Sequence, residues 1–395
     1  MSDTKAPAKT GSTRDASGIP LSKPPGLSIG ALVVGVLMIL LLVGVVALIV
    51  LSFFDAIPEI SWPSWLVTST QTYQKFGLMF FVVGLFVVVM GAILLMVDSR
   101  KRVPNWVVVL AFLGPMMAML TLGLVWPAIS TIIQSFFGRS PWYDQERSEF
   151  VGLDNFATLF TQPEFQIVLR NTLIWVLIVP VLALVIGLVY AVVVDRTRGE
   201  ALSKALIFLP MAISMVASSI IWKFVYEYRA PARPQIGLAN QILVWLGQDP
   251  YQFLITTPWN TFFLIVVMIW IQTGFAMTVI SAAIKAIPDD IIEAARLDGV
   301  TGLGMFRYVT IPSIRPALLV VWVTITMTTL KVFDIVRTMT GGNFSTSVVA
   351  NEFYTQSFRQ FNFGLGASLA VVLFIIVIPV VVYQVRQLRL SEEIR

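Results

Sequence analysis

The sequence predicts an all-α integral membrane protein with eight transmembrane helices. Only 12% of its 395 residues are charged and 57% are hydrophobic, whereas a soluble domain carries about 25% charged residues. Mean hydropathy is +0.84. The apolar residues fall in long charge-free runs, not in the alternating segments of an outer-membrane barrel. These features exclude a water-soluble globular chain and a disordered one. The chain has no Cys and no His. Disulfides, thiolate chemistry, imidazole catalysis and His-based metal sites are therefore excluded. The net charge of +5 is to be read by location across a bilayer, not as a sign of nucleic-acid binding.

A hydrocarbon core of about 30 Å takes roughly 20 apolar residues of helix. Residues 1–28 are rich in Lys, Pro, Ser, Thr and Gly and read as a disordered cytoplasmic tail. The run 29–51 is too long for the apolar core of a signal peptide, so it is expected as an uncleaved first span. Residues 77–97 make a second span, and 29–105 form two accessory N-terminal helices. Residues 106–133 make the third span and open a six-helix core over 106–395. The acidic, aromatic segment 138–166 is an outer loop. Residues 173–194 and 205–222 are spans four and five, 223–258 is a second outer loop, and 259–284 is span six. Span seven, 316–330, is short. It crosses only by continuing through Lys331 and Asp334 toward Val336, with those side chains reaching the interface. Residues 365–385 are span eight. No internal repeat is visible.

Lys and Arg set the orientation. With eight spans both termini share a side. If that side is the cytoplasm, 17 of the 27 Lys and Arg lie inside, against an even division of the 22 acidic residues. Both termini and the loop between spans six and seven are thus expected in the cytoplasm.

That loop, KAIPDDIIEAARLDGVTGLGMFRYVTIPSIRP (285–316), is unlike the others. Pro288 ends the preceding helix or starts a new one. Asp290 with Glu293 three residues on has the spacing of a capping box. Ile291, Ile292, Ala294, Ala295 and Leu297 supply apolar surface. Gly299 suits the left-handed position that closes a helix, and Thr301 is placed to cap another, constrained by Pro312 and Pro316. Two short helices near the membrane surface follow. An ordinary interfacial hairpin is the plain reading of such a pattern.

The spacing says more. Glu293-Ala294-Ala295, three residues, Gly299, nine residues, then Val309-Thr310-Ile311-Pro312 resembles the EAA motif of importer-type ATP-binding-cassette permeases. FVGLDNF (150–156), IFLPMAISMVASSIIWKFVYEY (207–228), QIGLANQIL (235–243), IWIQTGFAMTVISAAIKAIP (269–288) and LKVFDIVRTMTGG (330–342) extend the resemblance to the carbohydrate branch. The pattern is maltose-permease-like and most similar to α-glucoside and glucosylglycerol permeases, over roughly residues 110–390. Asn343-Phe344 stands where many relatives have Gly-Pro.

The resemblance implies a type I importer permease fold that forms half of a sugar translocation pathway in a bacterial cytoplasmic membrane. It implies four kinds of partner: a second homologous permease, two ATPase subunits, an extracytoplasmic sugar-binding protein and the lipid bilayer. It also assigns Glu293, Ala294, Ala295, Asp298, Gly299 and Pro312 to coupling with the ATPase. The chain has no Gly-Lys dipeptide and hence no phosphate-binding GxxxxGK[ST] loop. ATP and Mg are expected on the partner ATPase, and this chain is not expected to be an enzyme or to bind a cofactor or metal itself.

A saccharide path needs aromatic faces and a few hydroxyl, amide or carboxylate partners. Met211, Met215, Ser218 and Trp222 fall at i, i+4, i+7 and i+11, one face of a continuous span five. Span six offers Trp270, Gln272, Thr273 and Phe275, and span seven Thr328, Thr329 and Asp334. Similarity to the maltose-type pocket points to Met211, Met215, Trp270, Gln272, Phe275, Thr329 and Asp334. Ser and Thr in spans also serve as packing residues, and Lys331 with Asp334 suits a helix-surface pair.

An ion-coupled secondary transporter is the alternative from another class. The charge-free cores hold no Asp or Glu, where such carriers usually place coupling groups, although sodium is sometimes held by carbonyls and hydroxyls alone. No filter motif suggests a channel.

The absence of Cys makes the topology directly testable. A single Cys at Arg296 should resist an impermeant thiol reagent added outside intact cells and react once the membrane is opened. Labelling in intact cells refutes the arrangement.

Overall fold

A computed structural model describes residues 90–91, 105–138, 149–195, 197 and 199–393. The runs expected as spans one and two lie outside the described residues, apart from residues 90–91. Every regular element among the described residues is helical, with one isolated antiparallel bridge at Phe137 and Phe150. The chain divides into two compact units, Met1–Trp126 and Pro127–Arg395.

In the first unit, α1 (Asn105–Leu120) runs into a π-helical turn at Thr121–Val125. α2 (Trp126–Gln134) follows at the boundary.

The second unit continues with α3 (Asp154–Thr161), α4 (Pro163–Val194), α5 (Glu200–Ala212), α6 (Met215–Val225), α7 (Leu238–Trp245) and α8 (Trp259–Lys285). Then come α9 (Asp289–Leu297), a π-helical turn (Met305–Thr310), α10 (Ile311–Leu330) and α11 (Asp334–Met339). The unit closes with α12 (Val349–Tyr354), a π-helical turn (Thr355–Arg359) and α13 (Phe363–Glu393).

Four helical stretches are long and apolar enough to cross a membrane: Pro163–Val194, Trp259–Lys285, Met305–Leu330 and Phe363–Tyr383. The bent pair α5–α6 makes a fifth if taken as one span. The described residues therefore carry four or five candidate spans, and the count of eight is not established.

α4 shows how apolar sequence becomes a span. Trp175, Val179, Ala183, Gly187 and Ala191 form a buried stripe, while Leu173, Leu177, Val181, Val185, Val189 and Val193 are exposed. A helix apolar on both faces belongs in a medium as apolar as its own core. α8 is the buried centre, with its most apolar stretch two-thirds enclosed. A Cβ on Gly187 would sit 2.5 Å from Ala276 Cβ of α8 and 2.9 Å from Met277 N. A Cβ on Gly274 of α8 would sit 2.6 Å from Ile207 O of α5. Small residues thus bring three backbones into contact, which is how helices associate without a hydrophobic drive between them.

Several boundaries differ from expectation. α4 begins at Pro163, ten residues before the expected start, because Pro163 is preorganised for a first helical position. Span five is not one helix. Ile213 and Ser214 are extended, Ser214 Oγ accepts from Ala217 N (3.2 Å), and α5 and α6 meet at 102°. A serine N-cap starts a new helix here, a signal that hydropathy alone overlooks. Span seven extends in the other direction from that expected. It runs from Met305 to Leu330 and stops, and Asp334 opens the separate helix α11. Lys331 and Asp334 therefore do not share a helix surface.

At the end of the unit opposite α9, the segment 340–349 is sewn to two spans. Asn171 Nδ2 of α4 donates to Ser345 O (2.6 Å) and Ser347 O (3.0 Å), and Val349 N donates to Thr172 Oγ1 (2.9 Å). Asn260 Nδ2 of α8 donates to Phe344 O (2.7 Å). The Asn343-Phe344 departure lies in this segment, with Phe344 held at φ 55°.

Gly187→Leu should lower thermal stability in detergent, followed by Trp fluorescence, by about 1–3 kcal/mol, as overpacked cores do. Gly114→Ala, mid-helix with nothing within 4 Å of the added carbon, should not destabilise and should gain up to about 1 kcal/mol. Equal stability of Gly187→Leu and the parent protein contradicts the close approach.

Candidate functional site

The segment between α8 and α10 holds no buried residue. α8 ends at Lys285, with Ala286 as its C-cap, and Pro288 is the N-cap of α9. Asp290 is accordingly the second helical residue, and no side chain caps the helix. The expected capping box is absent. Asp289 and Asp290 instead place negative charge in the first turn, where the helix dipole favours it.

α9 closes as its sequence predicts. Gly299 has φ 79°. Its N–H donates to Arg296 O (3.0 Å), and Val300 N–H donates to Ala295 O (3.0 Å). This is a Schellman closure, which requires a left-handed residue at the position Gly299 holds. A Cβ there would meet nothing within 4 Å, so the need for glycine is conformational rather than steric.

No residue of α9 is buried. Glu293, Ala294, Asp298 and Gly299 are exposed, Ala295 is half-buried, and Leu297 is 88% exposed. α9 rests on the π turn Met305–Thr310. Pro312, also exposed, stands at the start of α10. Proline has no N–H for Tyr308 O, and its ring crowds that carbonyl. The turn before it is widened accordingly, with Ile311 N–H donating to Phe306 O five residues back. The six motif residues thus lie on one exposed lobe: a short, firmly closed helix followed by a return through a π-helical turn. Its outward apolar and acidic side chains suit contact with another protein.

The proposed path residues are dispersed differently from the sequence expectation. Met211 is on α5 and Met215, Ser218 and Trp222 are on α6, so the break at Ile213–Ser214 removes Met211 from their face. Trp222 meets Trp270 edge to face at 5.7 Å, and Trp222 also meets Tyr226 at 5.2 Å. Ser218 is fully buried and its hydroxyl has no partner. Gln272 is buried and Phe275 half-buried on α8. Thr329 is fully buried and its hydroxyl donates to Ile325 O (2.7 Å); Thr273 donates to Ile269 O (2.7 Å) and Thr328 to Thr324 O (2.9 Å). These hydroxyls are spent on their own helices. Asp334 is half-buried at the start of α11, which packs on α6.

The sequence reading overlooked the aromatic cluster beside Trp222. Tyr226 stacks on Phe253 at 5.1 Å, Phe263 packs on Phe253 at 4.7 Å, and Tyr226 Oη donates to Phe263 O (3.2 Å). The i, i+4 spacing of Trp222 and Tyr226 was the available signal; Phe253, in a loop, gave none. Among the described residues no group of three or more Asp or Glu side chains is placed to hold a metal ion.

Comparison with known proteins bears on this geometry. Residues 156–388 match the family model described as the binding-protein-dependent transport system inner membrane component. The chain is 43% identical over 284 residues to the osmoprotective compounds uptake permease protein GgtC of Synechocystis sp., covering 72% of this chain and 100% of that one. It is also 43% identical over 292 residues to the alpha-glucoside transport system permease protein AglF of Rhizobium meliloti, covering 73% and 85%. The fold is that of a permease in a bacterial alginate ABC transporter crystallised with its alginate pentasaccharide-bound periplasmic protein, with TM-score 0.60, 22% identity and coverage of 71% and 93%. The chain belongs to the family of inner membrane permease components of binding-protein-dependent transport systems.

Proposed function

We propose that this chain is one of two similar permease subunits of an ATP-driven importer whose cargo is a sugar of the α-glucoside, maltose/trehalose or glucosylglycerol class. The α-glucoside class is supported by the similarity to AglF, an osmoprotective cargo by the similarity to GgtC, and the other sugars by the motif resemblance. The observation that carries the mechanism is α9, an exposed helix closed by Gly299 and joined to α10 through a π-helical turn.

In this reading α9 lies in the cytoplasm and seats in a cleft of a separate ATPase subunit, which binds ATP and Mg. Glu293 makes a charged contact with that subunit, Ala294 and Ala295 permit close approach, and Gly299 fixes the exit of the chain. Closure of the ATPase moves α9 and switches the spans between two arrangements, since a packed core is bistable rather than continuously deformable. An external binding protein delivers the sugar to the opposite end. Along the path, the Trp222–Trp270 pair supplies aromatic faces, and Met211, Met215, Gln272, Phe275 and Asp334 complete the candidate contacts.

Two outcomes test the reading. In proteoliposomes holding the full complex and its binding protein, sugar uptake should require ATP inside the compartment that α9 faces. Uptake driven by an ion gradient without ATP sinks it. Gly299→Asp adds a Cβ at positive φ, costing roughly 1–2 kcal/mol, and a charge at the contact surface. It should insert normally yet lose ATPase co-purification and most sugar-stimulated hydrolysis. Glu293→Ala should lose less, because Ile291, Ile292 and Leu297 remain. Full assembly and full stimulation in Gly299→Asp would return α9 to the status of an interfacial hairpin.

A further inference from the structure

The two arms that hold α9 are built differently. On the α8 side, five polar side chains from three elements converge. Lys204 of α5 donates to Glu200 one turn earlier (2.8 Å) and is paired with Asp195 at the end of α4. Lys204 Nζ also donates to Ser281 of α8, whose own hydroxyl donates to Asp195 Oδ1 (2.7 Å). Lys285, the last residue of α8, pairs with Glu200. The Asp195 side chain is only 11% exposed, and its second oxygen is buried without a partner. A carboxylate at a helix C-terminus opposes the helix dipole, so Asp195 does not serve α4 itself. What holds its charge in place is Lys204.

This staple sits at the end of three helices already in backbone contact through Gly187 and Gly274. Below it, Ile287 packs against the same core, three residues from Asp290 on α9. The exit arm reaches the same core through Ile311 and Ile314 but has no such cluster of ion pairs. Gly299 and Gly302 are both at positive φ with open space around them, and the π turn and Pro312 follow. Among the described residues, no ion pair ties the segment 299–316 to a neighbouring element.

The geometry points to Lys204 as a positioning residue for coupling: by tying Asp195, Glu200 and Ser281 it makes α4, α5 and α8 one body at the root of α9. Displacement of α9 is then delivered to that body through α8, while the glycine- and proline-bearing arm yields. The inference rests on the reading of α9 as the ATPase-facing element. Neither the relatives' names nor the motif residues assign Lys204, Asp195, Glu200, Ser281 or Lys285 any role.

The test uses the full complex in proteoliposomes and measures sugar transported per ATP hydrolysed, beside ATPase co-purification. Lys204→Gln should keep the ATPase bound and keep hydrolysis, but lose about fivefold in sugar per ATP, the low end of usual coupling. Lys204→Arg should restore the ratio, because it preserves the charge. Lys204→Gln leaves the Asp195 charge unpaired, so Asp195→Asn combined with Lys204→Gln removes both charges and should show the same loss. Lys285→Gln, at a half-exposed side chain, carries little risk to folding and should lose about twofold, as a more exposed pair does. An unchanged ratio in assembled Lys204→Gln or in the double variant overturns the inference. So does a proportional fall of transport and hydrolysis together, and, if neither of those variants inserts, an unchanged ratio in Lys285→Gln. A wild-type complex without ATP-dependent uptake would instead overturn the functional reading itself.

Discussion

Gly187 on α4 faces Ala276 on α8 across a gap that would not admit a methyl group. In hydrocarbon, apolar side chains gain nothing by leaving lipid for protein, so helices are held by close fit. That contact makes α8 the buried axis of the second unit, and Gly274 extends it to α5. The positions of the other functional parts follow. α9 hangs from the end of α8, Trp270 lies along α8 opposite Trp222, and the segment 340–349 is sewn to the far ends of α4 and α8.

The same economy governs the polar groups. A hydroxyl in a span needs a partner, and the nearest is usually the carbonyl one turn back. Thr273, Thr326, Thr328 and Thr329 all take it. They satisfy themselves without calling on a ligand, so in the proposed path the aromatic faces of Trp222 and Trp270, with Gln272 and Asp334, are the candidate contacts. Ser218 is the exception, buried with an unpartnered hydroxyl on the same helix as Trp222.

In the proposed coupling, a helix that transmits force needs one end held more firmly than the other, and the two ends of α9 are held differently. Its own closure is fixed by two backbone hydrogen bonds around Gly299. Its entry comes from the most enclosed helix of the unit. Its exit passes through a π turn that exists because Pro312 has no N–H to give. The ionic staple at Lys204 strengthens the firm side only. This asymmetry gives a direction to any movement imposed on α9.

The helical class, the membrane setting and the α9 lobe were legible in the sequence because each is a local property. Charge-free runs mark helices that must satisfy their backbone internally. The Gly299 closure depends on one residue's freedom at positive φ, and the motif spacing from Glu293 to Pro312 needs no distant contact to be seen. What the sequence could not decide was where neighbouring helices meet. Hydropathy made one span of α5 and α6, since Ser214 in an apolar run counts as packing until its hydroxyl is seen to cap Ala217. It placed the length of span seven beyond Lys331, when the chain had room to extend back through Pro312 by widening a turn. It could not find the staple, because Asp195, Lys204 and Lys285 are separated in the chain and read as ordinary interfacial charges. Only folding brings the ends of α4, α5 and α8 together, and long-range proximity of that kind is a property of packing that no local pattern encodes.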